Sequence, residues 1–150
     1  KMNPPLREEV DRQAIIEGLA DGTIDLIATD HAPHSKEEKE KPLTEAPSGI
    51  IGLETAVQIC MTELYHKGVL TLPHLISKLT KGPAEVLGLE IGSLKTGRPA
   101  DITILDPDRE TVVDPNQFRS KSRNTPFAGY RAKGCAVGTI VNGTFVYKAF

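Results

Sequence analysis

The sequence has little cysteine, no marked excess of charge of either sign and no long apolar run, and each shortage narrows what it can be. Its two cysteines, Cys60 and Cys135, lie far apart and form neither a CxxC nor a CxH pattern. They offer no paired-cysteine metal or redox motif and read as reduced, buried small hydrophobes. A net charge of −2 gives no reason to expect nucleic acid or an anionic membrane surface as a partner. No apolar stretch approaches the roughly 20 residues needed to span a bilayer. The polar, proline-containing opening carries no signal-peptide pattern. A cytoplasmic location is the expectation. The chain opens on Lys1 and not on methionine, which reads as processing or as a piece of something longer.

What is present suits a packed protein. Hydrophobic residues make up 39% of the 150 and charged residues 25%, enough apolar material for one ordinary domain. Pro4 and Pro5 make the opening a loop. From Arg7 a helix is expected, with Val10, Ala14, Ile15, Ile16 and Leu19 as its apolar stripe and Asp21-Gly22 as its stop. Residues 25–29 form a short apolar run that suits a buried strand of a parallel sheet. Residues 30–49, rich in Pro, Lys and Glu, read as a long loop of the kind that is functional or mobile, with the charges of residues 36–41 solvated.

A second amphipathic helix is expected over residues 53–66, since Leu53, Ala56, Val57, Cys60, Met61 and Leu64 share one face and Gly68 follows. Thr71 can cap a third helix that places Leu75, Ile76 and Leu79 inward. Gly82-Pro83 breaks it, and a short helix follows. Beyond Gly92 the character changes to β. Short strands are expected at residues 102–105 and 111–113, and a hairpin at Asn142-Gly143 between two β-rich runs, because both turn residues need positive φ.

The chemistry concentrates at Asp30. It stands at the C-terminal end of the expected buried strand and opens the long loop, which is where (β/α)₈ barrels carry catalytic residues. A carboxylate there is costly to bury unless it meets a metal or a cation. His31 and His34 lie in the same turn, and the three together suit Zn²⁺. Short Asp/His clusters also arise by chance, so a second reading stands beside the first: Asp30 caps a turn and both histidines are ordinary loop residues. His66 and His74, near helix ends, read as surface or capping residues.

Five segments carry a resemblance. Thr29-Asp30-His31-Ala32-Pro33-His34 resembles the signature that follows the last barrel strand in dihydroorotases. Lys1-Met2-Asn3-Pro4-Pro5-Leu6-Arg7 resembles that family's substrate loop. The segment from Ala46-Pro47-Ser48-Gly49 through Glu54-Thr55 is similar to the end of its active-site loop. Gly97-Arg98-Pro99-Ala100-Asp101-Ile102 is similar to a pattern found across amidohydrolases, and Ser120-Lys121-Ser122-Arg123-Asn124-Thr125-Pro126-Phe127 resembles a segment of the dihydroorotase tail. The resemblance implies an α/β fold. Residues 1–91 would hold the last strand and helices of a (β/α)₈ amidohydrolase barrel, and residues 92–150 the C-terminal portion of a small β-sandwich domain.

The resemblance also implies an activity, the interconversion of L-dihydroorotate and N-carbamoyl-L-aspartate in pyrimidine biosynthesis, with Zn²⁺ as cofactor. Asp30 would be both zinc ligand and general base and acid. Asn3 and His34 would bind substrate through their side chains, and Ser48 and Gly49 through their backbone. Such an enzyme also needs a His-x-His pair, a bridging ligand such as a carbamylated lysine, and further histidines, none of which occur here. The expectation is therefore a fragment that is inactive alone. His31 receives no role in this reading. Arg123 and Asn124 are expected in a polar turn of the small domain, far from the barrel mouth. The partners implied are a small-molecule substrate, a second copy in a homodimer, or an aspartate carbamoyltransferase. Two alternatives stay open: a hydantoinase- or allantoinase-type cyclic amidase, and a non-catalytic dihydroorotase-like assembly subunit.

Overall fold

The computed structural model describes residues 1–150. Helices fill the first two-thirds of the chain and a small sheet the last third. Helix α1 spans Glu9–Asp21 and stops at Gly22; its start is a reciprocal cap between Glu8 and Asp11. Its stripe is only partly used. Leu19 is buried and Ile16 packs against the core, but Val10 is 71% exposed and Ile15 55% exposed. Ala14 is exposed as well. The expected stripe is therefore only half covered, because nothing in this chain packs against its outer half.

Residues 25–29 join no sheet. A strand exists only through its ladder partners, and this chain supplies none beside them. The segment is held by helix instead. Ile27 N donates to Lys78 O at 3.0 Å, and the buried Lys78 ammonium donates to Ile24 O. The charge run 36–41 is also not loop. Ser35 and Glu38 form a capping box that starts helix α2, Lys36–Glu40.

The helix expected over residues 53–66 begins later, at α3, Ala56–Cys60, and continues as a π-helical turn, Met61–Tyr65. Leu53 lies outside it and is exposed. The turn widens because His66 N reaches Met61 O at 2.9 Å. Thr62 then presents its hydroxyl to the sheet and accepts from Lys133 N at 2.9 Å. Helix α4, Leu72–Leu79, starts as expected with Thr71 capping His74 N, and α5, Lys81–Val86, follows with Pro83 in its first turn.

The core lies where these pieces meet: Leu19, Met61, Leu64, Leu70 and Leu75, with Met61 at 1% and Leu75 at 0% exposure. Cys60 packs against it, and burial pushes its thiol up to about 11, so it stays a neutral hydrophobe. None of the helices is long and apolar enough to cross a membrane.

The sheet is antiparallel, in the order β1 (Ile102–Val112), β2 (Arg131–Val141), β3 (Thr144–Lys148). The two short strands expected near residues 102 and 111 are one. Between Asp106, opposite Cys135, and Glu110, opposite Lys133, β1 carries extra residues. Pro107 has no N–H for the ladder, so the chain bulges there and rejoins. His66 uses Nε2 to bond Pro107 O at 2.8 Å, which fastens that bulge to the end of the π-helical turn. The hairpin forms as read, with Asn142 at φ 48° and Gly143 at φ 77°.

Candidate functional site

The candidate residues sit on three stretches of chain, around Asn3, along residues 30–34 and around Ser48-Gly49. Main-chain bonds tie these stretches together. Ala32 N donates to Ile50 O at 2.9 Å, and Gly49 N donates to Lys1 O at 3.0 Å. Asn3, exposed, stands two residues from that last contact. His34 Nε2 donates to Ser48 O at 3.0 Å. Three of the five residues read from the sequence, His34, Ser48 and Gly49, therefore belong to one hydrogen-bonded patch, with Asn3 beside its Lys1 end and Asp30 leading into it.

Asp30 has φ 43° and is, with the turn residue Asn142, one of two non-glycine residues at positive φ. Aspartate tolerates this region better than most residues, but the conformation still costs free energy and persists only where the surroundings enforce it. The surroundings are visible. His31, next in sequence, accepts at Nδ1 from Gly52 N at 3.1 Å and from Leu53 N at 3.3 Å. This puts the ring proton on Nε2 and ties the turn after Asp30 to the segment entering α3. The Asp30 side chain is exposed and takes part in no hydrogen bond or ion pair of the chain.

Gly49 is held from every side. Its φ is 128°, and a Cβ there would lie 2.5 Å from the Ala32 Cβ and 3.4 Å from His34 Nε2. Its carbonyl accepts from Lys39 Nζ at 2.9 Å and from Asn124 Nδ2 at 3.2 Å. With Gly49 N–H, Gly49 C=O and Ser48 C=O all engaged, Ser48 N–H is the main-chain donor of this dipeptide left without a partner in the chain.

Asn124 was expected far from this site, and the expectation is corrected. Its Nδ2 also donates to Ala32 O at 2.9 Å, its Oδ1 accepts from His34 N at 3.4 Å, and its backbone oxygen accepts from Ile51 N at 3.1 Å. The side chain touches both strips of the patch at once. Glu54 completes the attachment by accepting from Arg119 N at 2.8 Å and Ser120 N at 2.9 Å. Sequence reading missed Asn124 and Lys39. An amide that bonds backbone at long range leaves no spacing signal, whereas the Ser35-x-x-Glu38 capping box that places Lys39 was there to be read.

No three His, Cys, Asp or Glu side chains gather into a metal-sized group. A zinc site needs three or four such ligands, so the residues present fit zinc through the free Asp30 carboxylate as one ligand and not as a site.

The chain matches the model of the amidohydrolase family over residues 3–146. It is 55% identical over 148 residues to dihydroorotases of Bacillus cytotoxicus and Bacillus cereus, covering 99% of this chain and 35% of theirs. Among solved structures it resembles an L-hydantoinase (dihydropyrimidinase) from Arthrobacter aurescens, with TM-score 0.93 and 37% identity over 99% of this chain and 34% of that one. A dihydropyrimidinase from Brevibacillus agri shares the fold, with TM-score 0.91 at 24% identity over 99% of this chain and 33% of that one. The chain thus spans about a third of the length of the relatives it matches. On the match across residues 3–146, this chain belongs to the amidohydrolase family.

Proposed function

We propose that this chain is the C-terminal part of a zinc dihydroorotase, which interconverts L-dihydroorotate and N-carbamoyl-L-aspartate in pyrimidine synthesis. The observation that carries the reading is the higher identity to dihydroorotases than to the L-hydantoinase. Residues 1–91 then hold the last strand and helices of a (β/α)₈ barrel, with residues 25–29 as that strand once neighbours are present. Residues 92–150 hold part of a small β-sandwich domain. The exposed outer half of α1 and the unladdered segment 25–29 support this division, since both present surfaces that a barrel would cover. A homodimer, or association with an aspartate carbamoyltransferase, and a cytoplasmic location go with the same reading.

Asp30 in this reading is a zinc ligand as well as the proton carrier. Asp30 would hold Zn²⁺, one ion or two, together with ligands from the rest of the enzyme, and the metal would make a nearby water more acidic. Asp30 takes the proton of the attacking water and returns it to the ring nitrogen as the amide C–N bond breaks; the reverse cycle closes the ring. With its Nε2–H held by Ser48 O, His34 in its protonated form offers Nδ1–H to the substrate's carboxylate, and Asn3 offers donors and an acceptor to the ring amides. Ser48 offers its unpartnered N–H. Gly49 keeps that dipeptide in place, its own N–H and C=O being committed within the chain.

A substrate panel on the full-length protein containing this chain tests the assignment. L-Dihydroorotate should exceed hydantoin and allantoin in kcat/KM by on the order of a hundredfold or more, as expected where buried polar groups read a substrate. A preference for hydantoin or allantoin would replace this reading with the cyclic-amidase rival. No turnover of any of the three would favour the non-catalytic subunit, against which the presence of Asp30 and His34 argues. Zinc titration of residues 1–150 alone should reveal no tight stoichiometric site, because no three His, Cys, Asp or Glu side chains gather into a metal-sized group. A tight one-to-one site would overturn the view that the remaining ligands lie outside this chain.

A further inference from the structure

Helix α2 presents a lysine whose surroundings are unlike those of its neighbours. Lys36 lies 3.6 Å from Glu40 in an ordinary exposed ion pair. Lys39 instead directs its ammonium at main-chain oxygens: Lys1 O at 2.8 Å, Pro47 O at 2.9 Å and Gly49 O at 2.9 Å. An ammonium has three hydrogens, and each meets a carbonyl. None remains for a substrate, so Lys39 is not a binding cation. Two of the stretches it joins carry the residues assigned to substrate, Asn3 on one side and Ser48-Gly49 on the other. The third carries His34, one residue before the Ser35 cap that starts α2. Lys1 returns the contact from the other side, its Nζ donating to Lys39 O at 2.6 Å and to Lys41 O.

We propose that Lys39 is the positioning residue that gathers the three substrate-facing stretches into one cradle, acting on substrate affinity through the main chain. The physical case has two parts. Helix α2 buries no residue of its own, so no apolar packing fixes it and polar bonds must. Charge-assisted bonds are about twice as strong as neutral ones, and a compact ammonium can converge on three oxygens where a planar guanidinium cannot. The Gly49 carbonyl, shared with Asn124, is where the grip of α2 meets that of the residue 119–124 segment.

The inference rests on reading Asn3, His34 and Ser48 as substrate contacts, and the experiment separates the two ideas. In the full-length enzyme, Lys39→Met keeps the stem and removes the donors, Lys39→Arg keeps the charge, and Lys36→Met serves as control on the same helix. Steady-state kinetics with L-dihydroorotate are paired with hydrogen exchange of residues 1–3 and 47–49. Lys39→Met should raise KM about tenfold, the loss expected for charged hydrogen bonds. Its kcat should stay within about threefold, as for an interaction shared by ground and transition states, and exchange in both stretches should quicken. Lys39→Arg should fall between, and Lys36→Met should match wild type. An unchanged KM in Lys39→Met, with or without faster exchange, overturns the proposal, as does full restoration by arginine. If Lys39→Met does not fold, the position of Lys39→Arg between wild type and a tenfold KM rise decides the matter by itself. If the enzyme turns over no dihydroorotate, the substrate reading fails, and unchanged exchange would then remove the clamp as well.

Discussion

Asp30→Asn in the full-length enzyme is expected to lower kcat for L-dihydroorotate by on the order of a thousandfold, within the range a general base contributes. The substitution isolates the chemistry. Asparagine occupies the left-handed region as readily as aspartate, so the backbone at φ 43° has no cause to rearrange. The side chain bonds to nothing else in this chain, so no internal contact is lost. What disappears is the capacity to hold the water's proton and one anionic metal ligand. Kinetics and metal analysis on the same preparation read the two roles separately. A large fall in kcat with metal retained marks the proton carrier; metal lost in parallel marks the ligand role as well. Near-normal turnover would sink the assignment of Asp30 and with it the proposed mechanism.

Gly49→Ala should be nearly as damaging, for a steric reason. A Cβ at φ 128° is strained by about 1–3 kcal/mol wherever it stands, and here it would also lie 2.5 Å from the Ala32 Cβ. Neither atom has a torsion with which to escape. Both strips are held, Ala32 by its bond to Ile50 O, and Gly49 by Lys1, Lys39 and Asn124. Relief must therefore come from separating the strips, which breaks the His34–Ser48 contact. A roughly hundredfold rise in KM follows from losing on the order of 2–3 kcal/mol of preorganised binding. Thermal denaturation of the full-length protein should show a lower midpoint. A KM within about threefold of wild type would mean that the patch does not contact substrate.

The local features were readable because local physics decides them. Gly22 ends α1, Thr71 caps α4, and Asn142-Gly143 turns the hairpin. In each case the residue type satisfies a need of its own few neighbours. The failures have a common cause too. Val10 and Ile15 join the α1 stripe by period alone, and residues 25–29 read as a strand; both readings presuppose partners that this stretch of chain does not contain. The bulge at Pro107 joined what looked like two strands, because pairing with β2 outweighs one missing donor. The charged run 36–41 hid a helix whose capping box was legible but whose purpose was not.

At the site the division is the same. Residue type alone names the groups proposed for the chemistry, Asp30 and His34 after an apolar run and Ser48-Gly49 at the end of a charged stretch, because reactivity belongs to residue type. How they are held depends on contacts between distant parts of the chain. Asn124 spans residues 32, 34 and 49 from the far end of the chain, and Lys39 converges on three carbonyls. His31 binds the segment before α3 and supports the strained turn at Asp30. Bonds from side chain to distant backbone depend on where the chain passes in space, and the backbone looks alike at every position of a sequence.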